Sequence, residues 1–266
     1  MFERLVSLYR AVVIERPKTV LFLVFLLTCG LAAGLPNFKL DASSESLTLE
    51  HDTALDYYRE ISQRYQSGDF LVVTFTAKED LFSDASLALL KDVRDELAQV
   101  EGVGSINSML DVPLLYSPKM GLTELTTPRN LLTPGVDRQL AKREFFESPI
   151  YGEMLLGPDG QTTAIMLNLA PIDRYFELVR HRDGLRFKRD QHGLSAEEEL
   201  ELVQVSQDFL DYRTELAQRD NTRVQQVRAI VAKYQGQAQL FVGGPSMITA
   251  DMIDFIRSDL VVFGSA

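Results

Sequence analysis

Between Lys18 and Lys39 the chain carries no ionisable side chain except the thiol of Cys29. The run TVLFLVFLLTCGLAAGLPNF has about the length that crosses a bilayer core as a helix, so residues 19–38 are predicted to form a transmembrane helix. Near the other end the sequence turns apolar again after Asp259 (LVVFGSA), and the start of a second span is expected there, as in the front part of a longer membrane protein. Four parts follow: a cytoplasmic N-terminus (1–18), the first span (19–38), a large domain (39–245), and a connecting helix that opens the second span (246–266).

Charge sets the expected orientation. Residues 1–18 hold Arg4, Arg10, Arg16 and Lys18 against Glu3 and Glu15, a sum of +2, whereas the whole chain is at −11, which leaves −13 for everything after Lys18. Basic residues flanking a span stay in the cytoplasm, so the acidic domain is expected on the far side of the membrane. A cleaved signal peptide is the rival reading, because Leu31-Ala32-Ala33-Gly34 offers small residues near the end of the apolar run. The long N-terminal region with two acids argues for a retained anchor. Thr28 before Cys29 makes a poor lipoprotein box. Cys29 is the only cysteine, so no intrachain disulfide exists, and its place in an apolar run suits packing. An acidic chain without a basic stripe gives nucleic-acid binding no support.

The large domain reads as alternating strands and helices. Residues 52–65 suggest a short helix after an extended exit. The β-branched and aromatic run FLVVTFT (70–76) predicts a buried strand. Ser83 or Asp84 can cap a helix whose stripe is Leu87, Leu90, Val93, Leu97 and Val100, stopped by Gly102. A strand over 103–110 ends at Asp111-Val112-Pro113. The proline-rich stretch 111–150 is too apolar for a free linker, and a helix fits 136–146. Leu155 and Leu156, the Pro158-Asp159-Gly160 turn and 162–169 predict a hairpin. Residues 171–223 alternate charge blocks and read as an exposed helical excursion, with periodicity fading over 213–221 and returning at Val224, Val227, Ile230, Val231 and Tyr234. A last strand at 239–242 breaks at Gly243-Gly244-Pro245, and a helix follows from Ser246 or Thr249. The order strand, helix, strand, strand, helix, strand predicts an α+β, ferredoxin-like (βαββαβ) sandwich. Val72, Phe75, Leu90, Leu97, Leu167, Val227 and Phe241 are its expected core.

Nothing in the sequence composes a catalytic or metal site. His51, His181 and His192 are scattered among solvated charges without partners at ligand spacing. The acids Asp41, Glu45, Glu50, Asp52 and Asp56 lack the central Gly and terminal Glu of a calcium loop. Gly102-Val103-Gly104 precedes a strand and so is no phosphate loop. Ser43, Ser44 and Ser46 have no positioned base. The basic cluster 180–189 has acidic neighbours and reads as a charge-mixed surface. No enzyme activity, cofactor or metal is expected. The one motif with a mechanical reading is Gly243-Gly244-Pro245, a hinge between last strand and final helix: Gly permits unusual backbone angles, and Pro opens a helix without needing its amide. An ordinary strand-to-helix turn is the plainer reading.

Several stretches together resemble the first quarter to third of a bacterial resistance–nodulation–division permease, in the branch of the mycobacterial large membrane proteins and hopanoid-type lipid transporters. They are Arg16-Pro17-Lys18 through Pro36, the strand after Gly68-Asp69, and residues 103–115 ending in Asp-Val-Pro-Leu-Leu. Further along come Glu147-Ser148-Pro149-Ile150-Tyr151, Asp159-Gly160-Gln161-Thr162-Thr163-Ala164, and Gly243-Gly244-Pro245 followed by Asp251-Met252, Ile256 and Asp259-Leu260. The resemblance implies a ferredoxin-like periplasmic porter domain and proton-driven export of hydrophobic or lipid-like substrates. It also implies proton-relay residues in later spans, beyond Ala266. The partners it implies are the lipid bilayer and the rest of the same protein, with a homo-oligomer or periplasmic partner left open.

Two other functions share the anchor–domain–anchor layout. One is the extracytoplasmic sensory domain of a two-span receptor, and the other is a protein-export subunit of the same superfamily.

Overall fold

Strand β1 (Phe70–Ala77) alternates strictly, with Leu71, Val73 and Phe75 buried and the residues between them half-buried. A strand's side chains point to opposite faces in turn, so this pattern marks one face turned to a core. The computed structural model describes residues 13–34, 54, 57, 60, 61, 64, 69–117 and 129–264. The expected helix at 52–65 and the acids Asp41 to Asp56, with His51, fall largely outside them. The chain divides into two compact units, Met1–Asp41 and Ala42–Ala266.

In the second unit β1 is followed by α2 (Asp84–Leu97), β2 (Val103–Asn107), α3 (Arg138–Glu147), β3 (Thr162–Leu169), α4 (Asp173–His192), α5 (Ala196–Tyr234), β4 (Ala238–Gly243) and α6 (Pro245–Gly264). The four strands form one antiparallel sheet in the order β2-β3-β1-β4, the strand order of the split βαββαβ arrangement. Register aligns the buried rows: Leu71 pairs with Leu167, Val73 with Ile165, and Phe75 with Leu240. That face packs with Leu87, Leu90, Val93 and Leu97 of α2 and with Val224, Val227, Val231 and Tyr234 of α5. Full burial of each such side chain contributes about 1.5–3 kcal/mol.

Local chemistry fixes the element ends. Ser83 caps α2, its Oγ accepting from the Ser86 amide at 3.2 Å. Asp137 caps α3 through the amides of Gln139 and Leu140. Ser195 and Glu198 form a reciprocal capping box at the start of α5. The loop after β2 is tied down by buried Glu144, 6% exposed, which accepts the amides of Leu115 (2.6 Å) and Tyr116 (3.0 Å). Beside it Tyr151 donates its hydroxyl to the Pro113 carbonyl at 2.8 Å.

Four expectations need correction. Among the described residues no helix is long and apolar enough to cross a membrane, which overturns the N-terminal transmembrane helix. In the first unit, α1 (Pro17–Ala32) has 16 residues, about 24 Å of helix against a hydrocarbon core of about 30 Å. Helix α6 has 20 residues but carries Asp251, Asp254, Arg257 and Asp259. Next, the excursion and the packing helix are not separate, because α5 runs unbroken for 39 residues. The apparent gap at 213–221 carries ion pairs between neighbouring turns of the helix: Arg219 with Glu215, and Arg223 with Asp220.

Two smaller corrections concern the strands. Val72 is half-buried and Phe241 is 58% exposed, because both lie on the sheet face opposite the helices, where Phe241 pairs with Thr74. Before the Pro158-Asp159-Gly160 turn there are isolated bridges, Gly152 to Leu156 and Leu156 to Thr163, in place of a strand.

Candidate functional site: the strand-to-helix junction

Three sequence-predicted residues, Gly243, Gly244 and Pro245, stand together where β4 passes into α6. Gly243 still pairs with Val72, and a side-chain carbon added to it would approach nothing closer than the Val72 carbonyl oxygen at 4.0 Å. Gly244 is different. Its φ is +112°, and an added Cβ would lie 2.7 Å from the Phe70 carbonyl oxygen and 3.1 Å from the Leu71 Cα. Both the backbone angle and the close approach to β1 require glycine there. Pro245 then opens α6 at the first helical position, and the Ile248 amide closes the first turn on the Gly244 carbonyl at 3.1 Å.

The start of α6 is bound to the sandwich. Ser246 and Ala250 are buried, Met247 packs against the main core, and α6 contacts β1, β4 and α5. Two polar clamps join it to α5. Arg228 donates one nitrogen to both carboxylate oxygens of Asp251, at 2.7 and 2.8 Å, and the Asn221 amide reaches Asp254 at 3.2 Å. Arg228 and Asn221 lie two turns apart on α5 and face two acids one turn apart on α6. Past the clamps α6 is exposed, with Phe255, Leu260, Val261 and Phe263 among its uncovered side chains. The sequence reading found the glycines but not the clamps. Asp251 and Asp254 within an otherwise apolar segment were the available signal.

A second node marks where α5 enters the sandwich. Arg223 donates Nε to the Glu101 carbonyl at 2.9 Å and pairs with Asp220. Gly102, at φ +82°, leaves the space its guanidinium fills. Burial pushes the Asp220 carboxyl above its ordinary value, with the Arg223 charge opposing that shift. Nearer the end of α5, Lys233 and the Tyr234 hydroxyl both donate to Glu96 on α2, and these hydrogen bonds hold the Glu96 carboxyl below its ordinary value.

The remaining candidates have structural partners. The basic cluster 180–189 lies on α4, where Arg182 stacks over the Phe209 ring, 4.1 Å from its centroid, and Lys188 pairs with Glu198. His181 bonds Glu201 at 2.9 Å beside an open groove of ≈ 430 Å³ between α4 and α5. His192 ends α4. Among the described residues, no three His, Cys, Asp or Glu side chains stand close enough to share a metal ion. Cys29 is a free thiol. No protein-family model matches the chain, and no curated protein matches it.

Proposed function

We propose that the α+β body is a porter module, the substrate-handling domain of a proton-driven exporter of hydrophobic or lipid-like molecules. It would belong to the resistance–nodulation–division kind and work at the outer face of a bacterial inner membrane. The observation that carries this reading is the junction. A domain that passes motion to the rest of a transporter needs a stiff link between its sheet and the element that leaves it. Gly244 locked against β1, the buried first turns of α6 and the Arg228–Asp251 clamp make such a link. The exposed apolar side chains of the last turns, Leu260, Val261 and Phe263, suit packing against further apolar structure. In this reading Gly243, Gly244 and Pro245 are a rigid joint and not a loose hinge. The motif order set out above supports the same assignment.

The test is export itself. Cells producing the native-length protein should extrude a lipid-like dye such as Nile red faster than cells lacking it, and a protonophore should abolish the difference. Equal dye retention with and without the protein, or extrusion indifferent to the protonophore, contradicts the reading.

A further inference from the structure

Two separate cores share α5. The hairpin core takes its last side chain from this helix at Leu216, and the main core takes its first at Val224. Among the described residues, neither core draws on 217–223. Helix α4 stops supporting α5 at the same level. It starts at Asp173, and Tyr175 in its first turn lies against Phe209, with ring centroids 5.5 Å apart. Polar bonds take the place of packing in the gap. Thr222 donates its hydroxyl to the Gln218 carbonyl at 2.9 Å, and such back-bonding weakens the helical ladder and bends helices. Ser206 and Thr214 make similar bonds, but within the span of the hairpin core. Just beyond the gap α5 is pinned, because Asn221 reaches Asp254 and Arg223 donates to the Glu101 carbonyl. The hairpin's other root is tied nearby. There the Ala170 amide bonds the Gly102 carbonyl at 2.9 Å, beside the same guanidinium. Both roots therefore meet at one corner of the sheet.

We propose that α5 flexes between Leu216 and Asn221, so that the α4–α5 hairpin swings from that corner as a rigid arm, with Arg223 as its latch. The inference is independent of the export reading. A hinge is a short stretch that absorbs a backbone change while the bodies on either side keep their shape. Here each body has its own core, and the stretch between them has none. Arg223 latches because one guanidinium holds both sides. It pairs with Asp220 in the gap, and its Nε holds the Glu101 carbonyl of the sandwich. Gly102 carries no side chain to push it out. From Gln218 back to Ala196 the helix measures about 33 Å, so a bend of about 15° carries the tip by about 9 Å.

Pairs of spin labels on the native-length protein, in a Cys29→Ser background, test the arm and its latch together. Asp92→Cys on α2 with Gln191→Cys near the tip reports across the hinge, and Gln191→Cys with Leu210→Cys reports within the arm. All three positions are exposed, so circular dichroism should show an unchanged fold. Dipolar spectroscopy should give a narrow distance within the arm and, across the hinge, a distribution spread over about 9 Å. Arg223→Lys keeps a charge beside Asp220 but loses the fork that also reaches Glu101, and it should widen the cross-hinge distribution alone. A narrow native distance that broadens in Arg223→Lys would also support the latch. A cross-hinge distance that stays narrow in both chains would overturn the hinge. Equal spread within the arm would overturn the rigid arm, and a broad native distribution that Arg223→Lys leaves unchanged would overturn the latch.

Discussion

The two halves of α5 occupy different surroundings. From Val224 to Tyr234 the helix lies in the main core, with the sheet on one side and α2 beside it. From Ala196 to Leu216, among the described residues, its cover is α4, through a small separate core of Tyr175, Leu178, Val179, Val205 and Phe209. Helix continuity therefore does not mean uniform stability. A helix takes most of its stability from the face it buries, so the hairpin half should open at lower free energy than the sandwich half. The Asp220–Arg223–Glu101 node stands at the border between them.

The sharpest way to break this contrast is a pair of core truncations. Leu97→Ala should lower global stability by about 2–5 kcal/mol, the usual cost of a buried leucine. Phe209→Ala removes an equally buried ring, yet it should mainly free the hairpin, seen as faster amide exchange over residues 200–212 with a much smaller shift in the urea midpoint. Equal midpoint shifts would make sandwich and hairpin one cooperative unit.

The junction offers a second, smaller contrast between neighbouring glycines. Gly244→Ala meets backbone atoms at a positive φ and should cost about 2–3 kcal/mol, whereas Gly243→Ala should stay within about 1 kcal/mol. Chemical denaturation of both variants checks this. A tolerated Gly244→Ala would remove the rigid joint.

The smallest effects are those of pH, and the two nodes should respond with opposite sign. Glu96 has a lowered carboxyl pKa in the folded state, so its stabilising contribution is present above the ordinary carboxylate value and is lost as pH falls through the lowered one. Asp220 has a raised pKa, so its contribution is full below the ordinary value and is lost as pH rises through the raised one. Urea midpoints followed from acid to neutral pH should show Glu96→Gln flattening the acid loss and Asp220→Asn flattening the opposing slope. The same change of slope in both variants would contradict the assignment.

Much of the sandwich was legible because its elements carry one clean period. The stripe from Leu87 to Leu97 and the capping Ser83 define α2 without reference to anything distant. The phase of β1 was not legible: FLVVTF is apolar at both parities, and only its register with Ile165 and Leu240 shows that Leu71 and Val73, and not Val72, face the helices. The middle of α5 was lost to periodicity because ion pairs replace apolar contacts there. For the junction, the glycines and proline were visible in sequence. The strain on Gly244, the burial of Ser246 and the α5 partners of Asp251 and Asp254 depend on contacts between distant segments.

The central claim is that the sheet and α6 move as one piece through the α5–α6 clamp. A charge exchange tests it most directly, because the ion pair can be broken and then rebuilt with its polarity reversed. In cells producing the native-length protein, Arg228→Asp should cut dye extrusion sharply while expression and circular dichroism stay near normal. Combining it with Asp251→Arg should restore most of the rate. Undiminished extrusion by the single Arg228→Asp variant, or no recovery in the folded double variant, would contradict the account.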